Sequence, residues 1–117
     1  MEKRDMNETT FKNHVERLLK EYDCWLIKYW GGGAFTKSGV PDLLVCCNGY
    51  FLGVELKAAN GKPSKLQQWN IQQIREAGGI GIILYPSKFY MFKDMIRDLA
   101  KDQDGEFWYK HQTFFDE

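Results

Sequence analysis

The sequence predicts an α/β fold, a mixed β-sheet flanked by helices with its elements in the order αβββαβα. Two apolar runs flank Asn48-Gly49, which is the strongest short-range signal for a β-hairpin. Apolar residues recur at three- and four-residue spacing near the N-terminus, as in an amphipathic helix. The run from Ile80 to Tyr85 is continuously apolar, which is typical of a fully buried strand.

The chain has the size and composition of one globular domain. It has 117 residues, of which 44% are hydrophobic and 15% aromatic, so we expect a single domain over residues 1–117. No apolar run is long enough to span a membrane, and residues 1–5 do not resemble a signal peptide. Cys24, Cys46 and Cys47 form no CxxC pair and are expected to be buried free thiols. These features predict a soluble, cytoplasmic protein without a membrane partner.

The first helix is predicted from residue 7 to about residue 21, with Asn7 or one of two threonines, Thr9 and Thr10, as its cap. Residues 24–30 have the composition of a strand. Three glycines then open a loop that runs to Ser38. We expect this loop to be a flexible flap in which Lys37 can touch a phosphate.

The hairpin fixes its own register. A type I′ turn at Asn48-Gly49 requires positive φ at both residues and makes Cys47 face Tyr50. The same register makes Val45 face Leu52, and Asp42 face Glu55. Both faces of the hairpin are apolar in the middle, so we expect the sheet to be covered on both sides.

The second half of the chain continues the alternation of helix and strand. Ser64-x-x-Gln67 is a capping box that opens a helix to about Ala77, with Gly78-Gly79 as its stop. After the buried strand, Pro86-Ser87 is predicted to cap a helix that runs to about Lys101. Residues 106–114 are interpreted as either an added strand or an interface tail.

The charged end of the hairpin predicts a metal site. Asp42 and Glu55 face each other, and like charges placed about 4.5–5.5 Å apart repel unless a cation is bound between them. A hard divalent cation can share the oxygens of two such carboxylates. Strand alternation puts Lys57 on the same face as Glu55, so a positive charge lies beside this site. The alternative is an ordinary hairpin whose charged end is solvated.

These residues also resemble a known family. Pro41-Asp42, a hairpin and then Glu55-Leu56-Lys57 resemble the core of the PD-(D/E)XK nuclease superfamily, over roughly residues 8–100. The likeness is greatest to the small VRR-NUC domains, which are related to Holliday-junction resolvases. Two further motifs make this resemblance more specific, namely Gly39-Val40-Pro41-Asp42 and Ser64-Lys65-Leu66-Gln67.

The resemblance implies a Mg²⁺- or Mn²⁺-dependent endodeoxyribonuclease. Asp42, Glu55 and the backbone carbonyl of Leu56 would hold the metal, and Lys57 would orient the attacking water or stabilise charge on the phosphate.

Two further residues match functional positions of the family. Glu8 matches an additional acidic residue on the first helix, where a carboxylate also simply favours the helix dipole. Gln67 matches a glutamine beside the catalytic lysine, although the capping box explains it equally well.

The charge distribution favours DNA as the partner. The net charge is zero, but residues 24–75 hold six basic residues against only two acids, a net charge of +4. The lysines expected to contact DNA are Lys37, Lys62 and Lys65.

The substrate implied by the likeness is branched DNA, most of all a four-way junction. Two symmetric cuts require a C₂ homodimer, and aromatic residues of the tail are candidates for its interface. The alternatives are a flap or nicking nuclease, or a catalytically idle DNA-binding module.

Overall fold

The computed structural model describes residues 7–29 and 37–111, with the side chain of Glu8 outside the description. Its elements follow the predicted order as far as the third long helix, and a short fourth helix is added. They are α1 (Glu8–Glu21), β1 (Trp25–Lys28), β2 (Leu43–Cys47), β3 (Tyr50–Leu56), α2 (Lys65–Glu76), β4 (Ile80–Leu84), a 3₁₀ turn (Pro86–Lys88), α3 (Phe89–Lys101) and α4 (Glu106–Lys110).

The hairpin forms with the predicted turn and register. Asn48 and Gly49 have φ values of 51° and 82°, as a type I′ turn requires. Cys47 is opposite Tyr50, and Val45 is opposite Leu52. The sheet has the order β1-β2-β3-β4, in which β1 and β2 are antiparallel and β3 and β4 are parallel. The predicted mixed sheet flanked by helices is therefore confirmed.

One face of the sheet carries the main hydrophobic core. Alternate residues of β2, β3 and β4 point to this face, where they meet the apolar sides of α1 and α3. Its largest fully buried side chains include Phe11, Leu43, Leu52, Ile82, Phe92 and Leu99.

The other face is covered by α2, which approaches β3 and β4 at two glycines. A Cβ at Gly53 would lie 2.4 Å from Ile74 Cδ1, and one at Gly81 would lie 2.6 Å from the carbonyl of Ile71. Over β1 and the adjoining part of the hairpin the face is open, since Trp25 is 64% exposed and Phe51 46%. The prediction that both faces are covered therefore holds only for the half that α2 reaches. We call the exposed side chains of Trp25, Ile27 and Phe51 the apolar strip.

The predicted N-caps of α1 and α2 are confirmed. Asn7 Oδ1 accepts a hydrogen bond of 2.8 Å from Thr10 N. Ser64 and Gln67 form both bonds of the capping box. The cap at Ser87 is wrong, because Pro86–Lys88 forms a 3₁₀ turn and α3 begins without a side-chain cap.

The segment after α3 is a helix where a strand was one alternative. Asp102 accepts hydrogen bonds from Gly105 N at 2.8 Å and from Phe107 N at 3.2 Å, so its carboxylate holds the entry to α4. Phe107 is buried and its ring lies 4.9 Å from the ring of Tyr50. An added strand over residues 106–110 is therefore wrong, and residues 112–114 lie outside the description.

The hairpin turn is bound to the C-terminal end of α3. Asn48 Nδ2 donates to the carbonyl oxygens of Leu99 at 3.0 Å and Asp102 at 2.7 Å. Tyr50 Oη donates to Asp102 Oδ2 at 2.8 Å. The far end of the hairpin is thus fixed by contacts with residues about fifty positions away.

Two of the three cysteines are buried, as expected. Cys24 and Cys47 lie on the core face, while Cys46 is exposed. The expectation for Cys46 was wrong because it lies on the open part of the sheet, opposite Trp25. None of the described helices is long and apolar enough to cross a membrane.

Candidate active site

The two predicted carboxylates lie at one end of the hairpin, just beyond the paired residues Leu43 and Val54. Asp42 directly precedes β2, and its Oδ2 accepts a hydrogen bond of 2.8 Å from Leu56 N. Its backbone carbonyl accepts a second one, of 2.8 Å, from Tyr29 N. Asp42 is therefore fixed from both neighbouring strands.

Glu55 is almost completely withdrawn from solvent, with 3% of the residue exposed. Its Oε2 lies 3.1 Å from Lys57 Nζ, so the glutamate and the lysine form an ion pair. Its Oε1 is buried and has no hydrogen-bond partner among the described residues. A buried carboxylate oxygen without a partner is costly, because it has lost its hydration and gained nothing in return.

The environment of Glu55 opposes its ionisation. Burial, and next the charge of Asp42, raise the pKa of Glu55, and the hydrogen bond and charge of Lys57, with a smaller contribution from the backbone of Asp42, offset this only in part. A divalent cation between the two carboxylates would remove both penalties, since it is itself the largest local charge.

The backbone carbonyl of Leu56 is the third predicted oxygen ligand. By extension of the hairpin register, Leu56 lies opposite Pro41, which has no N–H group to donate. The ladder therefore offers the carbonyl of Leu56 no donor at this position, and the N–H of Leu56 bonds to the Asp42 carboxylate instead. Two carboxylates and one carbonyl suit Mg²⁺, which usually keeps several waters and takes only one or two protein carboxylates. The described residues contain no group of three or more His, Cys, Asp or Glu side chains that could hold a metal.

Gln67 serves the capping box. Its side-chain Oε1 accepts a hydrogen bond of 2.8 Å from Ser64 N, and its backbone N–H donates one of 3.1 Å to Ser64 Oγ. The capping interpretation is thus confirmed, while the part of Gln67 in positioning a substrate stays a prediction.

The predicted DNA-binding lysines are exposed, and Lys37 lines a groove together with Gly49 and Phe51, toward the turn end of the hairpin. Lys37, Lys62 and Lys65 all project into solvent. The carbonyl of Lys37 accepts a hydrogen bond of 3.0 Å from the hydroxyl of Tyr29, the residue that follows β1 and whose N–H donates to the carbonyl of Asp42. The flap predicted before Lys37 and the side chain of Glu8 lie outside the described residues.

Sequence reasoning missed the residues that shape the approach to Asp42. Asn70 is buried on α2, and its Nδ2 donates to the carbonyl of Ser38 at 3.4 Å and to that of Leu66 at 3.1 Å. Gly39 has φ 77°, and a Cβ there would lie 2.6 Å from Leu66 Cγ. The signal was present in the Gly39-Val40-Pro41-Asp42 motif, whose glycine is needed for this close approach.

Comparisons of this chain with protein-family models, with curated proteins and with solved structures find no match. The site itself is therefore the basis on which a function is proposed. The site places two carboxylates at one end of the hairpin, with the Lys57 ammonium group 3.1 Å from one of them. That arrangement is suited to the hydrolysis of a phosphate ester.

Proposed function

We propose that this chain is a Mg²⁺- or Mn²⁺-dependent endodeoxyribonuclease of the PD-(D/E)XK type, similar to the VRR-NUC domains. The observation that carries the proposal is the buried, unpartnered Oε1 of Glu55 beside Asp42. A structural ion pair alone would leave no reason to bury that oxygen without a donor.

Each residue of the site has a distinct part in the proposed reaction. Asp42, Glu55 and the carbonyl of Leu56 would bind the metal, which when bound acts as a Lewis acid on the scissile phosphate and lowers the pKa of a bound water. Lys57 holds its ammonium group beside Glu55, where it can orient the attacking water or stabilise negative charge that develops on the phosphate.

The proposed substrate is branched DNA, and within that class a four-way junction. The support for DNA is the excess of basic residues over residues 24–75, together with the exposure of Lys37, Lys62 and Lys65. A flap or nicking nuclease is the alternative within the same chemistry. A cytoplasmic site of action belongs to this proposal as well.

The proposal includes a homodimer, because a junction needs two cuts. Its support is the exposed Tyr109 of the tail together with the apolar strip, since aromatic side chains are enriched at interfaces. Phe107 is excluded from the interface because it is buried within the chain.

The decisive experiment compares cleavage of a four-way junction, a flap and a plain duplex with Mg²⁺, with Mn²⁺ and with EDTA. We expect paired cuts in the junction that require the metal. DNA binding without cleavage under every condition would instead indicate the idle DNA-binding module. Light scattering on the wild type and on Trp25→Ser tests the dimer, and a wild-type monomer that still resolves junctions would contradict the paired-cut mechanism.

A further inference from the structure

A second feature lies on the same face of the sheet as Glu55, one strand away. It is a groove of about 330 Å³ between α2 and the outer edge of β4. Ile83 in its wall is the parallel-register partner of Glu55. Since neighbouring strands are about 4.8 Å apart, the groove begins directly beside the candidate active site.

The groove is cationic. Arg75 of α2 and Lys88 of the 3₁₀ turn contribute two positive charges to its lining, and none of the described residues that line it is acidic. The amides of Gln68 and Gln72 and the side chain of Tyr85 add polar groups to the same wall. Gln68, Gln72 and Arg75 are spaced four and three residues apart, so they form one stripe along α2.

Backbone groups of the edge strand face the same groove. Lys57 N donates to the carbonyl of Leu84 within the sheet, and by alternation the N–H and C=O groups of Gly81 and Ile83 point to the outer edge. Arg75 Nε donates to the outward carbonyl of Gly81 at 2.8 Å. This bond uses one of the five N–H donors of the guanidinium and fixes the group at the groove.

Partial burial makes an anionic partner favourable for Arg75. Burial lowers the pKa of its guanidinium, because the cation has lost part of its hydration. Arginine binds phosphate oxygens through a planar fork of donors, and lysine binds them as a point charge.

We propose that this groove binds the phosphate backbone of the DNA strand next to the scissile bond, through Arg75 and Lys88. The inference rests on the proposed nuclease function and extends it, because it says where the strand leaves the metal site. The path runs from Glu55 across Ile83 to the outer edge of β4.

The test measures DNA affinity by fluorescence anisotropy at several KCl concentrations, with Ca²⁺ in place of Mg²⁺ and a labelled four-way junction as the probe. The variants are Lys88→Gln and Arg75→Gln. The matched control is Lys93→Gln, an exposed lysine on α3 at the opposite face of the sheet. Melting temperatures of all four proteins are measured in parallel.

We expect each groove variant to weaken binding about three- to tenfold at roughly 0.1 M KCl and to lower the slope of log K against log[KCl] by about one. Lys93→Gln should change neither quantity. Lys88→Gln keeps the proposal testable if Arg75→Gln destabilises the chain by losing the bond to Gly81. Affinity and slope equal to those of the wild type in a folded Lys88→Gln protein would overturn the inference.

The outcomes separate the groove from the nuclease. If the wild type binds and cuts DNA and both groove variants bind DNA equally well, the groove proposal is wrong and the nuclease proposal stands. If the groove variants bind DNA more weakly but the wild type never cuts it, the nuclease proposal is wrong and the groove proposal stands. If Lys88→Gln lowers the affinity for inorganic pyrophosphate alone, the groove is a small-anion site and the proposal is wrong.

Discussion

Lys57 Nζ lies 3.1 Å from Glu55 Oε2 at the end of β3, and both side chains are largely removed from solvent. The pair satisfies only one of the two glutamate oxygens. This half-satisfied carboxylate lies next to Asp42, and a cation bound to both would relieve the cost of burying it.

The first prediction concerns the metal ligands. Glu55→Gln should abolish cleavage and also the rise in melting temperature that Mn²⁺ gives the wild type, because it removes the charge that binds the metal. Without metal, the variant should be as stable as the wild type or more so, since an amide escapes the burial penalty of the carboxylate. Asp42→Asn should also abolish cleavage. The control is Asp94→Asn, at an exposed acid of α3, which should cleave like the wild type. Metal-dependent stabilisation in Glu55→Gln would refute the assignment.

The second prediction separates the lysine from the metal. Lys57→Met should lower the cleavage rate by roughly 10²–10³-fold, as the loss of one transition-state donor does. Its metal ligands remain, so calorimetric titration with Mn²⁺ should still show binding. Lys93→Met, at an exposed position of α3, provides the matched control. If Mn²⁺ affinity disappears together with activity, Lys57 serves the structure of the site and not the reaction.

The third prediction distinguishes the two parts of Gln67. Ser64→Ala removes the side-chain cap of α2 and should cost about 1 kcal/mol of unfolding free energy. Gln67→Glu keeps an acceptor for Ser64 N, so its stability should stay within about 0.5 kcal/mol of the wild type. Denaturant unfolding measures both values. A loss of activity in the stable Gln67→Glu protein would then indicate a catalytic part, and full activity would leave only the cap.

The fourth prediction concerns the turn. Asn48→Gly keeps a residue that tolerates positive φ but loses the two bonds to the end of α3. Each such bond contributes roughly 0.5–1.5 kcal/mol, so we expect a loss of about 1–3 kcal/mol in chemical denaturation. An unchanged midpoint would mean that the two bonds contribute nothing in solution.

The fifth prediction is an acid sensitivity centred on Asp102. Burial raises its pKa, but the hydrogen bonds from Tyr50 and from the backbone of Phe107 and Gly105 outweigh this and lower it below 3.8. A carboxyl group with a lowered folded-state pKa stabilises the fold above its unfolded pKa, and this contribution is lost as the pH falls through the folded value. Between pH 5 and pH 2 the melting temperature of the wild type should therefore fall more steeply than that of Asp102→Asn. Parallel curves would contradict the prediction.

The hairpin and the position of its carboxylates could be predicted from the sequence because residues close together in the chain determine them. Two residues, Asn48 and Gly49, determine the turn type, and the pairing of every residue in β2 and β3 then follows. The capping box at Ser64 is equally local, since both partners lie within four residues.

The errors arise where distant contacts decide the structure. Residues 106–110 show no clear alternation of apolar and polar side chains. They form a helix because Asp102 accepts hydrogen bonds from the N–H groups at its start and Phe107 packs on Tyr50. Burial of a side chain is decided by the packing of elements that are distant in the sequence, so no spacing rule could have revealed the unpartnered oxygen of Glu55.

The bonds of Asn48 also have a consequence for folding kinetics. Its backbone belongs to a two-residue turn, a contact of very low sequence separation, whereas its side chain bonds to residues 51 and 54 positions away. Local contacts can form before the transition state, while contacts of long separation need a large loop to close first. A change in the backbone preference of the turn, such as Gly49→Val, should therefore slow folding, and Asn48→Gly should mainly speed unfolding. One turn of the chain thus connects an early step of folding with a late one.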